Sequence, residues 1–283
     1  MKIICYLPNT IAIGPQRCGT TWLQNYFKER KDILLPKGTK ETHYFDIYYS
    51  NGLDWYRSFF KNAKSFSRVV EIAPTYFEKT EVPERIYEDL GNITIICTLR
   101  NPMIRAFSLY LHLLRFGFTH VSFRTTVDKN TLILNSSLYA VHLRHWINIF
   151  GKKNILIVFF EELQENPNNY INAICAHLNI PFIPVNANTN KKIGEAALPS
   201  HYRIASVAQR FTELLHKYRL YPLLAFGKRI GLRELFFGSP VNTMLPELSK
   251  EDYNWFLQKV KHDIDDLEKL LNIDLHEWKN QKS

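Results

Sequence analysis

The chain has 283 residues, of which 46% are hydrophobic and 22% charged, with a formal net charge of +9. This is the composition of an ordinary globular protein with a substantial core, long enough for one large α/β domain or two small ones. The positive balance suits an anionic ligand, a nucleic acid or a membrane surface and does not choose between them. No stretch approaches the roughly 20 apolar residues that span a bilayer. The opening run of Met1 to Leu7 is ended early by Pro8 and Asn9, which argues against a signal peptide. Cys5, Cys18, Cys97 and Cys175 are scattered without a C-x-x-C pair. They read as reduced packing residues of a cytoplasmic protein, and no spacing of His, Asp or Cys points to a metal.

In chain order, Thr10-Ile11-Ala12-Ile13 is a short apolar run, read as a buried strand ending at Gly14. Gly14-Pro15-Gln16-Arg17-Cys18-Gly19-Thr20-Thr21 follows, and then Trp22, Leu23, Tyr26 and Phe27 recur at helical spacing. Strand, glycine-bearing loop and helix N-terminus together make a phosphate site, because the first turn presents free N–H groups and the positive end of the helix dipole. A nucleotide-triphosphate loop reads G-x-x-x-x-G-K-[ST]. Here both glycines and Thr21 are in place, but Thr20 stands where the lysine belongs and the cation is Arg17. The spacing therefore predicts a phosphate cradle without the lysine that reaches the β- and γ-phosphates, suited to a nucleotide with no γ-phosphate.

Further inner strands are expected at 69–72, 93–99 and 155–160. Helices are expected near 102–116, 136–150, 167–178, 200–216 and 249–271, with a polar loop over 186–199. Alternation of strands and helices predicts an α/β fold, a three-layer parallel β-sheet with helices on both faces. We see no internal repeat or linker, and read 1–283 as a single domain. Its core is 9–180, and 181–283 is a C-terminal helical region able to act as an acceptor lid. Within it, the mixed aromatic and basic stretch 218–229 reads as core and solvated face, as a lid, or as a membrane-surface patch.

The strand at 93–99 runs into Arg100-Asn101-Pro102, and Ser108 lies eight residues on, about two turns into the following helix. Ligands of open α/β sheets bind at the carboxyl ends of the strands. Arginine binds phosphate in a bidentate manner and a serine hydroxyl adds a further bond, so a second phosphate site is expected there. An arginine capping the sheet beside a solvent-facing serine is the alternative.

Arg17-Cys18-Gly19-Thr20-Thr21-Trp22-Leu23 resembles the 5′-phosphosulfate loop of sulfotransferases that use 3′-phosphoadenosine 5′-phosphosulfate (PAPS). Arg100-Asn101-Pro102, Arg105, Ala106, Ser108 and Tyr110 resemble their 3′-phosphate motif. Lys40-Glu41-Thr42-His43-Tyr44-Phe45-Asp46, Pro74-Thr75-Tyr76-Phe77 and Phe160-Glu161-Glu162-Leu163 with Pro167 are similar to segments of the heparan-sulfate type and of bacterial relatives. The likeness runs from about residue 9 to 180 and implies a P-loop nucleotide-hydrolase-like (sulfotransferase) architecture. It also implies transfer of a sulfuryl group from PAPS to a hydroxyl, or amine, of a glycan or small-metabolite acceptor. The product nucleotide would be 3′-phosphoadenosine 5′-phosphate (PAP), and no metal is implied.

By that resemblance Arg17, Cys18, Gly19, Thr20, Thr21 and Trp22 hold the 5′ end of the donor, with Trp22 against the adenine. Arg100 and Ser108 hold the 3′-phosphate, and Lys191 or Lys192 closes over the cofactor. Glu41 is the general base, with Lys40 and His43 orienting it or binding the transferring group. Most sulfotransferases have lysine at the position of Arg17. A guanidinium stays charged but does not give up its proton, so Arg17 is assigned electrostatic stabilisation. His112 reads as a helix-packing histidine or an acceptor contact. Glu71 reads as a cleft residue or a buried, ion-paired carboxylate. A nucleotide or adenylylsulfate-type kinase is the rival enzyme, although it predicts lysine at position 20 and an acidic residue where Arg100 stands. A non-catalytic polyanion-binding module is the rival of another class. The dispersed basic residues speak against nucleic acid as a partner.

Overall fold

The computed structural model describes residues 7–60, 66–186 and 245–280. Lys191, Lys192, Cys5, the helix expected at 200–216 and the stretch 218–229 lie outside the described residues. Five parallel strands form one sheet in the order β2-β3-β1-β4-β5. They are β1 (Thr10–Ile13), β2 (Ile33–Leu34), β3 (Arg68–Ile72), β4 (Thr94–Leu99) and β5 (Ile155–Phe159). The helices are α1 (Thr20–Lys28), α2 (Leu53–Arg57), α3 (Val82–Leu90), α4 (Pro102–Arg115), α5 (Phe123–Lys129) and α6 (Thr131–Asn135). They continue with α7 (Tyr139–Phe150), α8 (Phe160–Glu165), α9 (Pro167–Leu178), α10 (Lys250–Leu271) and α11 (His276–Lys279).

The inner strands are apolar on both faces because both are covered. Ile11 and Ile13 of β1, with Ile95, Cys97 and Leu99 of β4, pack into a core shared with α3, α4, α7 and α10. The alternate residues, Ala12 and Ile96, join Val70 and Ile72 of β3 in a second core with α1 and α9. With a side-chain period of two, this double burial is what a continuous apolar run in a parallel strand means. Each fully buried Ile or Phe contributes about 1.5–3 kcal/mol.

β1 sits between β3 and β4, and the chain changes direction across the sheet at the β1/β4 pair. The crevice outside such a switch point is where α/β sheets hold ligands. Ile13 is in register with Cys97, so the loop after β1 and Arg100 after β4 leave the same edge side by side. Asn101 makes the second exit sharp. Its carboxamide oxygen accepts from the N–H groups of Met103 (3.0 Å) and Ile104 (3.3 Å), and Pro102 occupies the first turn of α4.

Some boundaries differ from the periodicity. β5 stops at Phe159, where Phe160 already begins α8; the Phe159 N–H donates to the Glu162 carboxylate (3.4 Å), a local capping bond invisible to hydrophobic pattern. The helix expected from 136 begins at Tyr139, because the Ser136 and Ser137 hydroxyls donate back to Leu132 O (2.6 Å) and Ile133 O (2.8 Å) and close α6 instead. β2 has two residues, too few for any period to register.

Gly14 is required by space as well as by backbone. Its φ is +124°, and a Cβ there would run into the backbone and hydroxyl of Thr98 on β4. Gly14→Ala is expected to lose on the order of 3 kcal/mol, from φ strain and forced separation of loop and strand. Urea denaturation checks this, and an unchanged midpoint would mean that the loop does not press on β4.

Candidate active site

Arg17 stands at φ +78°, a left-handed conformation in which a side chain other than glycine is strained. Its guanidinium lies across the sheet edge, where Nε donates to Ser108 Oγ of α4 (3.0 Å). Arg100 Nη1 donates to the Arg17 carbonyl (3.2 Å), while its guanidinium lies over the Phe160 ring at 4.4 Å. The Arg100 carbonyl in turn accepts from the Tyr139 hydroxyl (2.8 Å). The loop after β1 and the start of α4, 91 residues apart at Arg17 and Ser108, thereby form one continuous basic surface. Burial, then the neighbouring Arg100 and Arg115, press the Arg17 pKa below its ordinary value.

The rest of the loop forms the floor. Gly19, at φ +87°, caps α1, and a Cβ there would approach the Phe160 ring to 2.8 Å. Cys18 is fully buried and its thiol is pushed up to about 12, by burial above all; it packs and stays protonated. Trp22 is half-buried, its ring 6.2 Å from that of Tyr26 with planes 3° apart, and edge-on to Tyr170. His112, against the Phe116 ring at 4.6 Å, is held neutral: burial, then Arg17 and Arg115, bring its pKa down to about 4.

Lys40, Glu41 and His43 come from a segment with no regular structure, and the sheet holds it in place. Glu71 of β3 is fully buried. Its Oε1 accepts from the Thr42 N–H (3.0 Å) and hydroxyl (2.5 Å), and its Oε2 accepts from the Tyr56 hydroxyl (2.6 Å). Burial raises its pKa while these donors oppose the rise. Glu71 is thus neither ion-paired nor a cleft residue; it is the brace that pins the backbone between Glu41 and His43.

Held this way, Lys40 Nζ lies 3.3 Å from both the Thr20 and Thr21 hydroxyls and 3.5 Å from Glu41 Oε1. The other carboxylate oxygen of Glu41 is buried without a hydrogen-bond partner among the described residues. A buried, unsatisfied carboxylate oxygen is costly and marks a place where a donor belongs. His43, at φ +55°, has Nδ1 3.3 Å from Asp46 Oδ2, which also accepts from the Thr75 hydroxyl (2.8 Å). Burial disfavours the imidazolium, but Asp46, Glu41 and Glu71 outweigh it and carry the His43 pKa above the ordinary range. Sequence reasoning left Asp46 and Thr75 without a role. Asp46 stands three residues after His43, and that spacing was the available signal.

Glu78, just behind Thr75, is 7% exposed, and its Oε2 has no partner among the described residues. Burial pushes its carboxyl up to about 7. The folded state therefore binds this proton more tightly than the unfolded chain, whose ordinary value is 4.5. The associated stability is complete below that value and is lost as pH rises through about 7. Glu78→Gln, which mimics the protonated form, is expected to match the parent in thermal melts near pH 4.5. It should exceed the parent by on the order of 3 kcal/mol near pH 8. Equal pH profiles for the two proteins would refute the assignment.

Among the described residues, no group of three or more His, Cys, Asp or Glu is placed to hold a metal ion. No helix among them is long and apolar enough to cross a membrane. Cationic side chains thus meet at two adjoining strand ends, beside a carboxylate with an unpartnered oxygen. Residues 7–195 match the sulfotransferase domain family, and the chain belongs to that family of PAPS-dependent enzymes. It is 30% identical over 193 residues to heparan sulfate glucosamine 3-O-sulfotransferase 5 of Mus musculus, covering 63% of this chain and 55% of the relative. It is 31% identical over 168 residues to heparan sulfate glucosamine 3-O-sulfotransferase 6 of Homo sapiens, covering 56% and 48%. The chain thus spans about half the length of the curated relatives it matches. A sulfotransferase structure from Alicyclobacillus acidocaldarius has a TM-score of 0.70 at 22% identity, over 97% of this chain and 99% of the other, and shares the fold.

Proposed function

We propose that this chain transfers the sulfuryl group of PAPS to a hydroxyl of a glucosamine-containing carbohydrate, releasing PAP. The observation that carries this reading is the junction of Arg17, Ser108 and Arg100, which offers two phosphate positions on one strand edge and no lysine at loop position 20. The residues present fit the donor: the first-turn N–H groups of α1 and the Thr20 and Thr21 hydroxyls suit its 5′ end, and Arg100 with Ser108 suits its 3′-phosphate. Trp22 offers a ring for the adenine. Lys191 and Lys192 are kept as the candidates for closing over the nucleotide.

PAPS supplies an activated sulfuryl group, and the protein's tasks are positioning and fixed positive charge. Arg17 stabilises charge on the donor oxygens without giving up a proton. Glu41 takes the acceptor's proton through its unpartnered oxygen, and the His43–Asp46–Thr75 set fixes the acceptor side of the cleft. The carbohydrate acceptor is supported by the glucosamine 3-O-sulfotransferase relatives and by the basic cleft. The free, buried Cys18, Cys97 and Cys175 suit a reducing compartment, in keeping with a cytoplasmic enzyme.

Thermal stabilisation by PAP, with ATP, ADP and AMP as controls, tests the donor site. A ligand at about 100 times its dissociation constant adds about 2.7 kcal/mol to native stability, so a clear shift with PAP alone is expected. A shift with ATP and magnesium but not with PAP would overturn the reading.

A further inference from the structure

The loop lacks the lysine of a nucleotide-triphosphate loop, yet the place that lysine would serve holds an ammonium group. We infer that Lys40 is the missing loop lysine supplied from another segment, and that with Glu41 it forms a closed proton circuit across the transfer step. This inference rests on the donor-site reading above.

The geometry is specific. Lys40 Nζ donates to the hydroxyls of Thr20 and Thr21, the two residues at the lysine and Ser/Thr positions of the loop pattern, at 3.3 Å each. The loop's own cation, Arg17, is drawn off toward Ser108 and the 3′-phosphate side. A guanidinium gives up no proton in any case. Lys40 is therefore the ionisable cation at the 5′ end, and its neighbour along the chain is the proposed base, 3.5 Å away through Glu41 Oε1.

As the new S–O bond to the acceptor forms, the acceptor's hydroxyl proton passes to Glu41. The S–O bond to the 5′-phosphate breaks, with its electron pair going to the phosphate oxygen, and Lys40 hands that oxygen a proton. Glu41 then returns its proton to the Lys40 amine across their contact, so both groups are reset and the acceptor's proton has left on PAP. A positioned lysine of reduced basicity suits the donation. Burial, then Arg17 and Lys28, lower the Lys40 pKa against the pull of Glu41.

Calorimetric titration with PAP at about pH 9, in two buffers of different ionisation enthalpy, reads the proton inventory of binding without any acceptor. At this pH the phosphates have finished titrating, since their last pKa is about 6. The groups facing Lys40 are Glu41, Arg17 and Lys28. A bound phosphate favours the ammonium form, so PAP is expected to bring a fraction of a proton onto the wild-type protein. Lys40→Arg is expected to bind PAP within about threefold of wild type but without that uptake. PAP release from PAPS, with a heparan sulfate oligosaccharide as acceptor, should then fall ~10²–10⁴-fold in Lys40→Arg. Equal proton uptake in wild type and Lys40→Arg, or wild-type turnover by Lys40→Arg, would overturn the inference while leaving the donor site intact. Failure of the wild-type protein to bind PAP at all would instead remove the donor-site reading, and this inference with it.

Discussion

Arg100→Ala is expected to abolish most of the stabilisation that PAP confers. Arg100 follows the end of β4, where the 3′-phosphate is proposed to sit; it also donates to the Arg17 carbonyl at 3.2 Å and lies over the Phe160 ring at 4.4 Å. Charge-assisted hydrogen bonds contribute about 1.5–3 kcal/mol each. Losing a bidentate pair therefore weakens PAP by at least about 100-fold at 1.4 kcal/mol per decade. At a PAP concentration 100 times the wild-type dissociation constant, the parent gains about 2.7 kcal/mol and the variant only about 0.4 kcal/mol. Thermal melts with and without PAP check this, the unliganded variant serving as its own reference because loss of the stacking contact also lowers intrinsic stability. A full PAP shift in the variant would mean that the 3′-phosphate is held elsewhere.

Glu41→Gln is expected to lower kcat for PAPS-dependent sulfation ~10²–10⁴-fold, the usual contribution of a positioned base. The amide keeps the size of the side chain and removes its capacity to take a proton. Because Glu41 touches Lys40 but neither Arg100 nor Ser108, the PAP-induced thermal shift should persist. That separation of binding from turnover distinguishes a base from a fold residue. Near-normal turnover would remove Glu41 from the chemistry, and a lost PAP shift would make it part of the donor site instead.

Glu71 shows how such a site resists reading from a linear pattern. As a strand residue it looked like a cleft group or half of an ion pair. Its partners are in fact one backbone N–H and three hydroxyls, from Thr42, Tyr56 and Tyr76. A carboxylate inside a parallel strand, where water is absent, persists only with such a set of donors. Here those donors position the Lys40–His43 segment. His43, Asp46 and Thr75 likewise converge only because the 40–46 segment is folded back over the turn after β3.

The strands at 10–13, 69–72, 93–99 and 155–160 could be read from sequence, as could the helices at 102–116 and 167–178, because burial on both faces of a sheet and on one stripe of a helix leaves a local period. α3 leaves a weaker trace in the sequence: Val82, Ile86 and Leu90 recur every fourth residue and Pro83 sits in the first turn. The loop glycines were equally legible, since a turn with positive φ at Gly14 and Gly19 needs glycine. Arg17 Nε against Ser108, Lys40 over the Thr20 and Thr21 hydroxyls, and the unpartnered oxygen of Glu41 had no trace in the pattern. These contacts span different elements, and their geometry is set by the strand order and by a buried carboxylate bracing an irregular segment. The sequence by itself therefore determined the sheet, its phosphate loop and the family likeness. Only the tertiary structure decided which side chains meet at the strand ends, because that depends on distances between segments which no local period records.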